Sequence, residues 1–99
     1  APHPPDRVRG GYQFVHGRLS RIEIGEKWFV FSLNQKFVIL VRRTDWQAYF
    51  GYSPWALDRA TIVARGWVSK KKSRATLVIS HPFMLERCGI DPQRLCPAH

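Results

Sequence analysis

The sequence predicts an all-β fold of five strands, with one short helix between the third and the fourth. Three observations predict it. β-Branched and aromatic residues concentrate in five segments of strand length. Turn residues separate most of these segments at short spacing. One stretch departs from this pattern, and it carries Trp46, Tyr49 and Phe50 at i, i+3 and i+4.

The first strand is "YQFVHGRLSRIEI", with Gly17 marking a bend or bulge inside it. "GEK" makes a tight turn into "KWFVFSL". Period 2 puts Phe29, Phe31 and Leu33 on one face of that strand and Trp28, Val30 and Ser32 on the other. "NQ" is a two-residue turn into "KFVILVRR", the third strand. Thr44 or Asp45 then suits a helix N-cap, and Gly51 a stop. The fourth strand is "ATIVARGWVS", with a second bend at Gly66, and the fifth is "ATLVIS". Pro82 ends the fifth, since it has no N–H for a ladder. The tail holds one helical turn near Phe83–Arg87.

This order, with its bent first strand, is that of an OB-fold, a five-stranded Greek-key barrel with a short helix between strands 3 and 4. An SH3-like barrel also has five strands but usually lacks the helix there. The expected core is Phe29, Phe31, Val38, Leu40, Ile62, Val68, Leu77 and Ile79, with Trp46 and Trp55 plugging the barrel bottom.

The 99 residues support one domain. Residues 1–11, "APHPPDRVRGG", read as a linker or flexible N-terminus, 12–87 as the OB domain and 88–99 as a C-terminal tail. A linker-like start without Met suggests a piece of a longer protein or a processed chain. The longest apolar run, "FVILV", falls far short of the ~20 residues of a membrane span. Cys88 and Cys96 do not fit zinc spacing. They suit a small disulfide loop in an exported protein, or two free thiols. The cytoplasm is favoured, and export stays open given these cysteines and the missing Met.

Charge is the strongest bulk signal. The formal net charge is +9, from sixteen Lys and Arg against seven Asp and Glu. From Lys27 to Leu85 there are ten basic residues and two acidic ones, Asp45 and Asp58. Such a field attracts polyanions, nucleic acid first, then anionic membrane surfaces and acidic proteins. The charge peaks in "SKKKSR", residues 69–74, between the fourth and fifth strands. One lysine is enough to blunt a sheet edge; Lys70, Lys71, Lys72 and Arg74 exceed that need.

Gly17-Arg18-Leu19, Leu33-Asn34, Val63-Ala64-Arg65-Gly66-Trp67-Val68 and Ser80-His81-Pro82 follow a pattern across residues 14 to 86. By these residues the chain resembles a bacterial OB-fold domain, found alone or appended to thermonuclease-like proteins. The resemblance implies nucleic-acid binding by a module with no catalytic role of its own. The basic tip departs from the family, where it is often polar or mixed in sign. Nothing in the chain looks like the thermonuclease catalytic domain.

OB-folds hold ligands across strands two and three, gripped by the loops after strands one and four. Single-strand binders pair a cationic groove with exposed aromatic faces. The expected phosphate contacts are Arg18, Lys36, Arg42, Arg65, Lys70, Lys71, Lys72 and Arg74, and Trp28 and Trp67 are the stacking candidates. Arg42 and Arg43 point to opposite faces by period 2, so one at most belongs to a given patch. His81 is expected to cap the end of the fifth strand through a hydrogen bond.

The expected partner is nucleic acid, single-stranded DNA or RNA, bound with low sequence specificity. The alternative is a protein-interaction module docking an acidic partner or a neighbouring domain. A small enzyme ranks last. There is no P-loop, G-x-G-x-x-G or G-x-S-x-G, and no cofactor is expected. Glu23 and Glu26 alone make a weak metal site.

Overall fold

A computed structural model describes residues 11–88. The fold is mostly β-sheet with one short helix. Its seven strands are β1 Gly11–Arg18, β2 Arg21–Ile24, β3 Trp28–Asn34, β4 Phe37–Arg42, β5 Thr61–Lys71, β6 Arg74–Ile79 and β7 Leu85–Arg87. The hydrogen-bonded order is β1-β5-β6-β4-β3-β2, with β7 pairing β5. Every pair is antiparallel except β4 and β6. That parallel pair requires a crossover, and the helical segment lies within it. The predicted linker and tail fall outside the described residues, apart from Gly11 in β1 and Cys88.

Two strands more than predicted have identifiable causes. The long first strand is two, because the chain breaks at Leu19 and Ser20. The Leu19 N–H donates to the Ala60 carbonyl and the Ser20 N–H to the Ser32 carbonyl, each at 2.8 Å. Successive amides thus turn to opposite neighbours, one beside β5 and one in β3, while the Leu19 side chain is buried. Gly17 is not the break; it stays in register with Ile62. No ladder joins β1 to β2, so the sheet is open at these ends rather than closed into the expected barrel.

The second addition is β7, where a helical turn is expected. Pro82–Met84 forms a 3-10 turn, and Leu85–Arg87 pairs with Ile62–Ala64 of β5. β5 takes β7 as partner early and β6 only from Val68. Gly66 sits at the change, with φ +152. A Cβ there would lie 2.9 Å from Leu77 Cδ1 and 3.1 Å from Met84 Cε, so close packing and backbone conformation both ask for glycine.

The core is one cluster. Phe29, Phe31 and Leu33 point inward from β3 as period 2 predicts. From β4 the buried residues are Phe37, Ile39 and Val41; Val38 and Leu40, expected in the core, are half-exposed on the outer face. The pairs Phe31–Ile39 and Phe29–Val41 set this phase, since paired residues share a face. Ile62, Val68, Leu77 and Ile79 are buried as expected.

The helix α1 is one turn, Arg43–Asp45, continued by a π turn Trp46–Phe50 and stopped at Gly51. Its N-cap is Arg42, with no side-chain cap; Thr44 and Asp45 lie inside the turn. Trp46 and Phe50 are buried and stack at 4.1 Å, while Tyr49 faces solvent. Trp46 plugs the core, 5.4 Å from Phe31 and 5.9 Å from Phe29, and its indole N–H donates to the Tyr52 carbonyl at 2.7 Å. Trp55 does not share that role. It is exposed on the 3-10 turn Pro54–Leu57, where Leu57 is the buried residue. Cys88 is disulfide-bonded; Cys96 lies outside the described residues. No helix among the described residues is long and apolar enough to cross a membrane.

Candidate nucleic-acid interface

The outer face of β3 and β4 is built from the pairs Trp28–Arg42, Val30–Leu40 and Ser32–Val38. Its two ends are basic and its middle is uncharged. At one end the Arg43 N–H donates to the Lys27 carbonyl at 2.9 Å, tying the start of α1 to the turn before β3. This leaves an open cleft of about 430 Å³ whose lining includes Lys27, Trp28, Arg42 and Arg43, with Glu26 its one acid. The Arg42 guanidinium lies 5.0 Å from the centre of the Trp28 ring. A cation over an indole face is attracted by the ring quadrupole. Arg42 therefore occupies one face that a base would stack on, and half-buried Trp28 serves to hold that guanidinium.

Period 2 would separate Arg42 from Arg43, but both line this cleft. The strand ends at Arg42, so alternation no longer applies to Arg43.

The other end is the β5–β6 hairpin. Its turn is only Lys72 and Ser73, because Lys71 and Arg74 already form a directly opposed pair. Lys72 adopts φ 57, a left-handed conformation rare outside glycine. Lys71, Lys72 and Arg74 line one open cleft of about 410 Å³ with Ser73 and Thr76. Lys70 pairs with buried Ala75, so it belongs to the opposite face of the ribbon. The Ala75 N–H donates to the Lys36 carbonyl at 2.7 Å, which sets Lys36 beside the tip. Among the described residues no tip cation has an acidic partner; the ion pair found is Arg21–Glu23, 2.9 Å and exposed.

The tip does not lean over Trp28. β4 and β6 run parallel, with Phe37 opposite Ala75 and Val41 opposite Ile79. The tip therefore lies at the Phe37 end and the Trp28–Arg42 pair at the other. The six residues of β4 put them roughly 15–20 Å apart.

The remaining expected contacts lie elsewhere. The Arg18 Nε–H donates to the Arg59 carbonyl at 3.0 Å, in a separate shallow cleft beside Leu19 and Ser20. Arg65 lies between Phe14 and Phe83, its guanidinium 5.9 and 5.3 Å from the ring centres. Trp67 is 72% exposed and meets the Tyr12 ring edge-on at 5.5 Å. Both sit on the outer side of β1 and β5. His81 makes no side-chain cap; its ring packs against Phe83 at 4.5 Å and Tyr49 at 5.6 Å. Among the described residues no group of three or more His, Cys, Asp or Glu is placed to hold a metal ion.

Lys27 lines the cleft although sequence reasoning passes over it, and Arg43 does so although period 2 sets it apart from Arg42. A signal existed for Lys27, which borders the turn opposite the end of the third strand. Comparison with protein-family models, curated proteins and solved structures gives no match to this chain.

Proposed function

We propose that this domain is a non-catalytic OB-type module that binds single-stranded nucleic acid with low sequence specificity. The β3–β4 face corresponds to strands two and three of that fold, and the turns at 25–27 and 72–73 to its gripping loops. The parallel β4–β6 pair, the helix ahead of β5 and the Leu19–Ser20 joint that passes the chain from β5 to β3 support the assignment. Kinship with the bacterial OB-fold modules that the R-G-W-V and H-P motifs resemble is part of the same proposal. Phosphates meet Lys71, Lys72 and Arg74 at one end and Lys27, Arg42 and Arg43 at the other. Bases lie over Val30, Ser32, Val38 and Leu40 between them.

One observation carries the reading: Lys71 faces Arg74 directly across the hairpin, with Lys72 in a left-handed conformation between them. Like charges directly opposed cost about 0.2–1 kcal/mol. A left-handed non-glycine residue costs about 1–2 kcal/mol more. A tip serving stability alone would carry Asn-Gly or opposite charges. A polyanion laid on the tip relieves the repulsion.

The test is a titration of labelled oligo-dT, roughly 16 nucleotides long, from about 50 to about 200 mM salt. Affinity is expected to fall by about 0.7 log units per tenfold salt for each phosphate held. Replacing Lys70, Lys71 and Lys72 with Ser weakens binding to all sequences and flattens the slope. Absence of binding at the low-salt end overturns the proposal.

A further inference from the structure

A run of exposed aromatic residues lies off the β3–β4 face. Tyr49, Phe83, Tyr12 and Trp67 are 57, 56, 52 and 72% exposed. They are not scattered. Tyr49 stacks on His81 at 5.6 Å, with ring planes 29° apart, and His81 touches Phe83 at 4.5 Å. Arg65 bridges Phe83 to Phe14. Phe14 meets Tyr12 at 6.1 Å, and Tyr12 meets Trp67 at 5.5 Å. The register explains the alignment: Tyr12 pairs with Trp67 and Phe14 with Arg65, all on one face of β1 and β5.

One end of this row lies close in sequence to the basic cleft. Val41 pairs with Ile79 in parallel, so Arg42 and Arg43 after the first and Ser80 and His81 after the second continue from neighbouring strand ends. Tyr49 lies two residues after Gln47, which lines the cleft.

We infer that the row from Tyr49 through His81, Phe83, Arg65 and Tyr12 to Trp67 is a base-stacking track for a single strand whose phosphates are held at Lys27, Arg42 and Arg43. The inference rests on the nucleic-acid reading and relocates its stacking surface. Trp28 is covered on one face by Arg42, whereas Trp67 is open. A nucleic acid fits better than an apolar protein partner for two reasons of charge. The row carries a guanidinium at its centre, and the segment that brings Tyr49 also supplies Arg43, Thr44 and Gln47 to a cleft of three cations. An apolar partner would bury Arg65 against a single carboxylate, Glu86, in the lining beside it. Base–aromatic stacking tolerates any sequence, because every base has a π-face.

The experiment uses the full chain and oligo-dT of about 16 and about 4 nucleotides, the range of site sizes for such folds. Trp67→Ala is expected to weaken binding of the longer oligonucleotide on the order of tenfold, within the 5- to 150-fold that one stacked base contributes. The salt slope stays unchanged, because no phosphate contact is lost. Trp67→Phe restores most of the affinity, which a lost polar contact would not explain. Tyr12→Ala repeats the loss, and the short oligonucleotide, held at the cleft, loses little with either variant. The inference is overturned if Trp67→Ala and Tyr12→Ala both leave the longer oligonucleotide's affinity intact while the wild type still binds with a salt slope; the nucleic-acid reading then survives alone. It is also overturned if the wild type sediments as a dimer and Trp67→Ala as a monomer with unchanged affinity, since the row is then a protein contact. No binding by the wild type ends both.

Discussion

Replacing Lys71 with Glu puts opposite charges across the β5–β6 hairpin, where Lys71 and Arg74 now repel. Removing a directly opposed like-charge pair and installing an attractive one changes stability by about 0.2–1 kcal/mol for each half of the exchange. Both side chains are exposed, so screening keeps the total near the low end, about 0.5–1 kcal/mol at low salt. For a domain of this size that raises the melting temperature by roughly 2–8 °C. Binding moves the other way. One phosphate contact is lost, which lowers the salt slope by about 0.7 and the affinity at about 50 mM salt on the order of tenfold. Thermal melting by circular dichroism and fluorescence anisotropy with oligo-dT read the two effects on the same variant. A Lys71→Glu protein that is less stable than wild type, or that binds with an unchanged salt slope, refutes the argument that the tip holds charge at the expense of stability.

Three further outcomes are expected. Lys72→Gly relieves the left-handed strain and stabilises by about 1 kcal/mol in chemical denaturation, while the salt slope drops by about 0.7. Trp46→Ala empties the core beside Phe29, Phe31 and Phe50 and costs about 3–5 kcal/mol in the same assay, enough to leave little folded protein. Burial raises the Tyr52 phenol above its ordinary value, with Arg87 pulling it partly back. Its contribution to stability is complete below about pH 10 and is lost as pH rises through the folded value, so one of the three tyrosines titrates late by ultraviolet absorbance and Tyr52→Phe removes that alkaline loss.

Residues whose environment is set locally were legible in the sequence. Period 2 in "WFVFSLN" separated the Phe29–Phe31–Leu33 face from the Trp28–Val30–Ser32 face, because aromatic and smaller residues alternate there. "KFVILVRR" is apolar at every interior position, so nothing in it marks the phase; pairing with β3 decides it and sends Val38 and Leu40 outward. Leu19 and Ser20 look like strand residues, and the break they make comes from carbonyls 41 and 12 residues further along, at Ala60 and Ser32. Trp55 reads as core by its size. The Ser53 hydroxyl accepts from the Trp55 N–H at 3.2 Å, and Pro54 and that bond start a turn that buries Leu57 instead.

The site divides the same way. The charge of the tip was legible as composition. Its position was not, because it depends on β4 and β6 pairing in parallel, a contact between segments far apart in the chain. The Tyr49–His81 contact likewise joins segments far apart in the chain, so the aromatic row could not be assembled from the sequence either.

The central claim is that two separate basic ends hold one strand, and the salt slope measures it most directly. Ends roughly 15–20 Å apart with no shared partner should contribute independently. The account predicts that Ser at Lys71, Lys72 and Arg74 lowers the oligo-dT slope, that Ser at Lys27, Arg42 and Arg43 lowers it by a similar amount, and that the combined variant loses the sum of the two. Salt-independent binding by the wild type, or a slope that neither set changes, would contradict it.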